Sequence, residues 1–136
     1  MSNIAIIVNN LYMKIKSIMW TSVVATIFLI AGSVLLVLGT LPMENSIEGK
    51  SLVVKYVIGK KVIDISGAVV MPIPAEVGRN IIRIGGTSLG KRHSGNFMNT
   101  KTGTRYKFYL TGKGERTYFE IGNDKYLVDG VSFSGV

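Results

Sequence analysis

The chain has 136 residues, a formal net charge of +8 and no cysteine. Besides the long apolar run described below and the short segment before it, only about ninety-five residues remain, which suffice for one small domain and are too few for two. The lack of cysteine excludes disulfides and thiolate metal sites, so packing alone must hold that domain together. The positive charge favours anionic partners such as lipid headgroups, wall polymers or nucleic acid.

The first sixteen residues form an N-terminal amphipathic segment. Their apolar side chains recur at helical spacing, with asparagines and Lys14 between them; the apolar positions are Ile4, Ile7, Val8, Leu11 and Ile15. This pattern indicates that a membrane helix begins early or that a short helix lies on the membrane surface. A partner-binding helix is the alternative, and no function is predicted for the segment.

Residues 17–41 contain twenty-five positions without an ionisable side chain. About 20 apolar residues cross the hydrocarbon core of a bilayer, so this run predicts a transmembrane helix. Lys14, Lys16 and Trp20 flank its start, where lysines and an indole suit the headgroup region. Pro42 is expected to end the helix.

The predicted span is interpreted as a retained, passive anchor. A cleaved signal peptide is the alternative, but its apolar core would be unusually long and no small-residue cleavage motif precedes Pro42. A transporter would usually carry an ionisable residue in the span, and this run has none. We therefore expect a single-pass membrane protein.

Flanking charges give conflicting signals about orientation. Lys14 and Lys16 precede the span and Glu44 and Glu48 follow it, which favours a cytoplasmic N-terminus and an extracytoplasmic β domain. Four lysines soon after the span favour the reverse; they are Lys50, Lys55, Lys60 and Lys61. Of the two orientations, the one with a cytoplasmic N-terminus and an extracytoplasmic β domain is favoured.

After a predicted linker at residues 42–49, the sequence changes to the alternation typical of strands, and residues 50–136 are predicted to form a mainly β domain. The predicted strands are Ser51–Ile58, Lys61–Ile65, Ile81–Ile84, Arg105–Leu110, Thr117–Ile121 and Lys125–Val128. Glycine turns of hairpin length separate several of them, and Gly59-Lys60 is the first such turn. The expected architecture is an antiparallel β-barrel or sandwich that covers its own core.

The segment from Gly85 to Arg92 has the glycine and lysine spacing of a phosphate-binding loop. That loop requires Ser or Thr after its lysine to hold magnesium, whereas Arg92 follows Lys91, and the next residues are poor at starting a helix. A glycine loop that joins strands is the favoured interpretation. An enzyme acting on phosphate compounds through this loop is the least favoured hypothesis.

No catalytic constellation is recognisable in the sequence. His93 is the only histidine, so a general base or zinc site would have no second imidazole or thiolate, and an exposed loop position is expected. The acidic residues are scattered along strand ends and turns. We predict no enzyme, no cofactor, no metal and no small-molecule substrate.

Basic residues at predicted turns form the candidate contact surface. Lys60 and Lys61 lie at a hairpin tip, and Lys91 and Arg92 lie in the glycine segment. Gathered at one end of the domain, they would form a rim for anionic headgroups. The alternative is that charged turns keep the domain soluble and protect its sheet edges. Nucleic acid is not expected, because the chain has a membrane anchor and no recognition element.

The stretch from Ile81 to Val128 resembles the bacterial pleckstrin-homology domain family. The resemblance rests on the runs IIRIGGTSLGKRHSGNF and TGTRYKFYLTGKGERTYFEIGNDKYLVD, and it extends over about residues 50 to 130. It implies a strongly bent, seven-stranded β-sandwich or barrel, often fused to a transmembrane helix. The C-terminal helix that the family normally has is expected to be reduced or absent, because Asp129–Val136 is short and glycine-rich.

The sequence thus predicts a non-enzymatic, membrane-anchored, pleckstrin-homology-like domain that binds a protein partner or an anionic membrane surface. The alternative is a subunit of a membrane complex that assembles, with itself or another protein, by adding a strand to a partner's sheet.

Overall fold

The computed structural model describes residues 2–133. It begins with the helix α1 (Ser2–Gly39), and the predicted architecture of an apolar helix followed by a mainly β domain is confirmed. The nine strands are β1 (Glu44–Glu48), β2 (Ser51–Lys55), β3 (Lys60–Asp64), β4 (Val69–Met71), β5 (Ile81–Leu89), β6 (Arg92–Asn99), β7 (Arg105–Leu110), β8 (Arg116–Ile121) and β9 (Asp124–Asp129). Within residues 2–133 no helix follows β9.

The helix α1 has 38 residues and is therefore about 57 Å long. In the described part of the chain it is the one helix long and apolar enough to cross a membrane. The predicted N-terminal segment, apart from Met1, continues into the predicted span without a break. Hydroxyls in the apolar stretch donate to carbonyls four residues earlier, as Thr21 does to Ser17, so these polar groups are satisfied within the helix.

The chain divides into two compact units, Met1–Leu36 and Val37–Val136. The last turn of α1 therefore belongs to the same unit as the β domain. The structure also places β1 within residues 42–49, where the sequence predicted a linker. The β domain thus starts directly at the end of the helix.

Two sheets make up the β domain. The small sheet has the order β1-β2-β3, and the large sheet has the order β4-β8-β9-β7-β6-β5. All neighbours are antiparallel except β7 and β9, which pair in parallel. This pair differs from the expected antiparallel pattern, and nine strands stand where the family resemblance implied seven.

The parallel pair arises because residues 111–115 pass over the end of β9. The Asp129 carboxylate, at the end of β9, accepts hydrogen bonds from the backbone N–H groups of Thr111 and Gly112 and from the Thr111 hydroxyl. Asn45 of β1 donates from Nδ2 to the carbonyl oxygens of Tyr109 and Asp129, which ties the small sheet to the same place. Asp129 is 2% exposed, so this network is internal.

The large sheet carries a hydrophobic core on each face. The core between the two sheets contains Leu52, Val54, Ile63, Ile65, Tyr109, Phe119, Tyr126 and Val128. The core on the opposite face contains Val77, Phe97, Tyr106, Phe108, Leu110, Tyr118 and Leu127. Alternation along β7 accounts for the division, since Tyr106, Phe108 and Leu110 face one side and Tyr109 faces the other.

A strap of residues 72–80 contributes to the second core. It connects β4 to β5, which lie at opposite edges of the large sheet, and it contains a 3₁₀ turn at Ala75–Gly78. Val77 of this turn is buried in the core. Asn99 at the end of β6 donates from Nδ2 to the carbonyl oxygens of Glu76 and Arg79, and the Tyr106 hydroxyl donates to the Glu76 carboxylate. The strap therefore covers this half of the sheet.

The glycine segment is not the loop that the sequence predicted. Gly85 and Gly86 lie within β5, and a two-residue turn, Gly90-Lys91, leads into β6. Gly86 pairs with Gly95 in β6, and both have positive φ angles of 99° and 122°. A Cβ on Gly86 would lie 1.9 Å from the Ser94 carbonyl oxygen, so only glycine permits this close approach of two strands.

Candidate functional site

The candidate site of the β domain surrounds residues 40–43, here called the junction, where the chain leaves α1. Leu41 and Pro42 are buried in the β domain. The Met43 N–H donates to the Lys55 carbonyl oxygen at 2.8 Å, which aligns the chain with β2. The hydroxyls of Thr40 and Thr87 lie 2.7 Å apart and share a hydrogen bond.

Arg92 holds the junction from the other side. Its Nε donates to the Pro42 carbonyl oxygen at 3.1 Å, and its Nη2 donates to the Leu41 carbonyl oxygen at 3.4 Å. These carbonyls lie beyond the end of α1 in a buried segment, so the guanidinium satisfies polar groups that burial removes from water. The sequence predicted Arg92 as an anion contact; the structure gives it a structural role, and its anion contact stays a prediction.

The β2–β3 turn, residues 56–59, lies beside the junction. Tyr56 and Ile58 line a cavity of about 280 Å³ together with Gly39, Thr40 and Ser94. The Tyr56 N–H donates to the Gly59 carbonyl oxygen, and the Tyr56 and Ser94 hydroxyls lie 3.0 Å apart. Burial raises the pKa of the Tyr56 hydroxyl, which therefore stays protonated at neutral pH.

Lys60 and Lys61 begin β3 directly after this turn, and both are exposed. The Lys61 Nζ donates to the Tyr109 hydroxyl at 2.8 Å, and this hydrogen bond raises the pKa of Lys61 although burial opposes it. The Lys61 Nζ lies 5.1 Å from the centre of the Tyr109 ring, because it contacts the hydroxyl edge rather than the ring face. Lys60 is free to meet an anion in solution.

Lys91 and Lys113 extend the basic surface around the junction. Lys91 is exposed in the β5–β6 turn, and a Cβ on Gly112 would lie 3.2 Å from its Cβ, so the 111–115 loop packs against this turn. Lys113 lines a cavity of about 400 Å³ that also includes Met43 and Glu44. We name Lys60, Lys61, Lys91 and Lys113 the basic rim. Three of these four were predicted as contacts from the sequence, and the structure brings them around one feature.

Lys14, Lys16 and Trp20, the predicted membrane flanks, lie on α1 and are exposed. They belong to the other compact unit and are not part of the basic rim.

His93 lies on β6 and is half-buried, which corrects the predicted exposed loop position. Its Nδ1 lies 2.8 Å from the Ser88 hydroxyl, and its ring meets Phe97 edge-on. Burial, followed by the fields of Arg116 and Arg83, lowers the pKa of His93, so the imidazole is neutral at pH 7. The adjacent Ser94 bonds to Tyr56 instead, so the two neighbours share no hydrogen bond with each other.

A second cleft, of about 550 Å³, opens away from the junction, where β7 and β9 diverge below their three paired positions. Lys107 and Lys125 line it, but Lys107 lies 3.7 Å from Asp124 and Lys125 lies 3.5 Å from Glu120. These two lysines are therefore paired, whereas Arg105, which also lines the cleft, has no ion pair among residues 2–133. The cleft has less unpaired charge than the basic rim and is not assigned a ligand.

In comparisons with known proteins, no family model, curated protein or solved structure matches the chain. The resemblance to the bacterial pleckstrin-homology family therefore stays a prediction from the residues.

The sequence did not reveal the apolar side chains that surround the junction. Val57 and Ile58 were predicted inside a strand, and the structure places them in the exposed turn instead. A usable signal was present, since two large apolar residues directly before Gly59 and two lysines are unusual for a turn.

Proposed function

We propose that this chain is a non-enzymatic, single-pass membrane protein whose β domain rests on an anionic membrane surface through the basic rim. The observation that carries the proposal is the buried junction: Leu41 is 0% exposed and Arg92 binds its carbonyl oxygen. With residues 41 and 42 built into the domain, the chain has no flexible linker there that would let the domain move far from the end of α1. The basic rim would then face the headgroups.

The charges fit such a surface. Each basic residue near an anionic bilayer contributes about 1 kcal/mol of attraction. Lys60, Lys91 and Lys113 have no carboxylate within ion-pair distance among residues 2–133. Glu44, which lines the same cavity as Lys113, is an opposing charge close to the junction and reduces the excess only in part.

The test uses the full-length chain in lipid nanodiscs that contain a headgroup-labelled paramagnetic lipid. In discs of mixed neutral and anionic lipid, we expect NMR signals of Lys60, Lys91 and Lys113 to broaden more than those of Thr102, at the opposite end of β6. The difference should shrink between about 0.05 M and about 0.5 M salt, because exposed charges are screened. It should also shrink in the variant Lys60→Glu, Lys91→Glu, Lys113→Glu.

The matched control is Lys101→Glu, an exposed lysine in the turn after β6. Its charge change is of the same kind, but it lies away from the junction and should leave the broadening unchanged. Equal broadening in neutral and anionic discs at both salt concentrations would reject the proposal.

A further inference from the structure

Two apolar side chains of the β domain, Ile58 and Leu89, are exposed to solvent beside the junction. Ile58 is 83% exposed, more than any other large apolar side chain of the described residues, and Leu89 is 53% exposed. Both lie at hairpin turns, which in a soluble domain usually carry polar residues. The packing of the domain alone gives no reason for their exposure.

Both side chains belong to segments that lie beside the end of the helix. Ile58 lines the same cavity as Gly39 and Thr40. Leu89 is the register partner of Arg92, the residue that binds the junction carbonyls, and it follows by two positions Thr87, which is bonded to Thr40.

The expected position of the helix end in a bilayer indicates how close these side chains lie to the membrane interface. A hydrocarbon core of about 30 Å is crossed by about 20 helical residues, so a span that starts after Lys16 leaves the core near residue 37. Gly39 and Thr40 then lie in the interfacial region. Because Ile58 lines a cavity with these two residues, its side chain lies close to that region.

From this juxtaposition we infer that Ile58 and Leu89 insert into the membrane interface and form a second attachment of the β domain beside the helix. The inference rests on the proposed function, which it extends from surface contact to insertion. A lipid interface fits this surface better than a protein partner does. The apolar tip at Val57 and Ile58 is bordered by Lys55, Lys60 and Lys61, and lysines next to an apolar tip suit a boundary between acyl chains and headgroups.

The absence of native cysteine permits a direct test in the full-length chain. Nitroxide labels are placed one at a time at Ile58→Cys, Leu89→Cys and the control Val69→Cys in vesicles with anionic lipid. Val69 is 56% exposed but lies on the edge strand β4, away from the junction. Power saturation compares access to oxygen, which enters the bilayer, with access to a water-soluble nickel complex.

We expect labels at positions 58 and 89 to be more accessible to oxygen than to nickel, and the label at 69 to show the reverse. If positions 58 and 89 behave like 69 while the basic rim still contacts headgroups, the insertion is wrong and the proposed function stands. If insertion persists in purely neutral vesicles without any headgroup preference of the rim, the insertion stands and the anionic-surface proposal fails.

A circular dichroism spectrum of each labelled variant provides the folding check. If Ile58→Cys loses its β signal, it is replaced by Val57→Cys, whose side chain lies in the same turn. A solvent-like result at position 57 would also overturn the inference.

Discussion

Arg92 donates a hydrogen bond from Nε to the carbonyl oxygen of Pro42 at 3.1 Å, across fifty positions of sequence. The bond joins the first residue of β6 to the segment that leaves the helix. It makes residues 41 and 42, which directly follow the helix, part of the β domain's packing.

Replacing Arg92 should destabilise the β domain. Arg92→Ala leaves the Leu41 and Pro42 carbonyls without their charged donor, and such hydrogen bonds are worth about 1.5–3 kcal/mol. Arg92→Lys should lose less, because an ammonium can still reach one carbonyl but lacks the planar fork of the guanidinium. The free energy of unfolding in detergent micelles, followed by near-ultraviolet circular dichroism, measures both.

The control for this prediction is Lys91→Ala. Lys91 is the exposed neighbour in the same turn, and its removal should change the free energy of unfolding by no more than about 0.5 kcal/mol. Equal losses for Lys91→Ala and Arg92→Ala would mean that the junction contact does not stabilise the domain.

Asp129 should be among the least tolerant polar positions in the domain. Asp129→Ala removes the acceptor for the Thr111 and Gly112 N–H groups and for the hydroxyl of buried Thr111, and we expect a loss of about 3 kcal/mol or more. Asp124→Ala is the comparison, since Asp124 lies on the same strand but forms only a surface ion pair with Lys107, worth at most about 1 kcal/mol. Urea unfolding of both variants should separate them; similar midpoints would contradict the assigned role.

Gly95 should not accept even a methyl group. A Cβ there would lie 2.5 Å from the Gly85 carbonyl oxygen, so Gly95→Ala combines a steric clash with a positive φ angle, and we expect a loss above about 2 kcal/mol. Gly122 also has a positive φ angle, of 59°, but nothing lies within 4 Å of its added Cβ. Gly122→Ala should therefore lose only about 1 kcal/mol, from backbone strain alone. Thermal melting of the two variants tests this order, and a larger loss for Gly122→Ala would show that the close approach of β5 and β6 is not the main constraint on Gly95.

Alternation predicted one strand, β7, to the residue. The sequence RYKFYL was assigned to Arg105–Leu110, which is the observed extent of β7. This strand lies in the middle of the large sheet with a core on each face, so its aromatic and aliphatic side chains are divided between the two cores. The apolar run of α1 was equally clear, because an uncharged stretch of that length is long enough to cross a bilayer and is uncommon in soluble domains.

The alternation pattern gave a wrong strand boundary where apolar residues lie outside the core. Ser51–Ile58 was predicted as one strand, but β2 ends at Lys55 and the last apolar pair forms the exposed turn. Alternation reports that a side chain is apolar and cannot distinguish burial in a core from exposure to lipid. Likewise Gly85 and Gly86 indicated a loop, because the sequence does not show that Gly95 approaches them from the next strand.

The sequence pointed to three lysines of the basic rim, whose contact with anions stays a prediction, and it did not reveal how they are arranged. Lys60, Lys61 and Lys91 were selected from their turn positions, whereas the structural contact of Arg92 depends on the buried junction. Local patterns contain no information about a contact between residues fifty positions apart. For the same reason they could not predict the parallel pairing of β7 with β9.

His93 should make the stability of the domain depend on pH. Burial and the nearby Arg116 and Arg83 lower its pKa below the usual 6.5, so the folded protein binds a proton less readily than the unfolded chain does. Stability is then fully present above pH 6.5 and is lost as the pH falls through the pKa of the folded state.

Because His93 is the only histidine in the sequence, one imidazole signal in an NMR titration reports this pKa directly. Arg116→Gln should raise the pKa partway, since burial is the larger cause and is retained, whereas Lys101→Gln should leave it unchanged. Between pH 7 and pH 5, His93→Gln should lose less stability than the unmodified chain; a measured pKa at or above 6.5 would contradict the assigned burial.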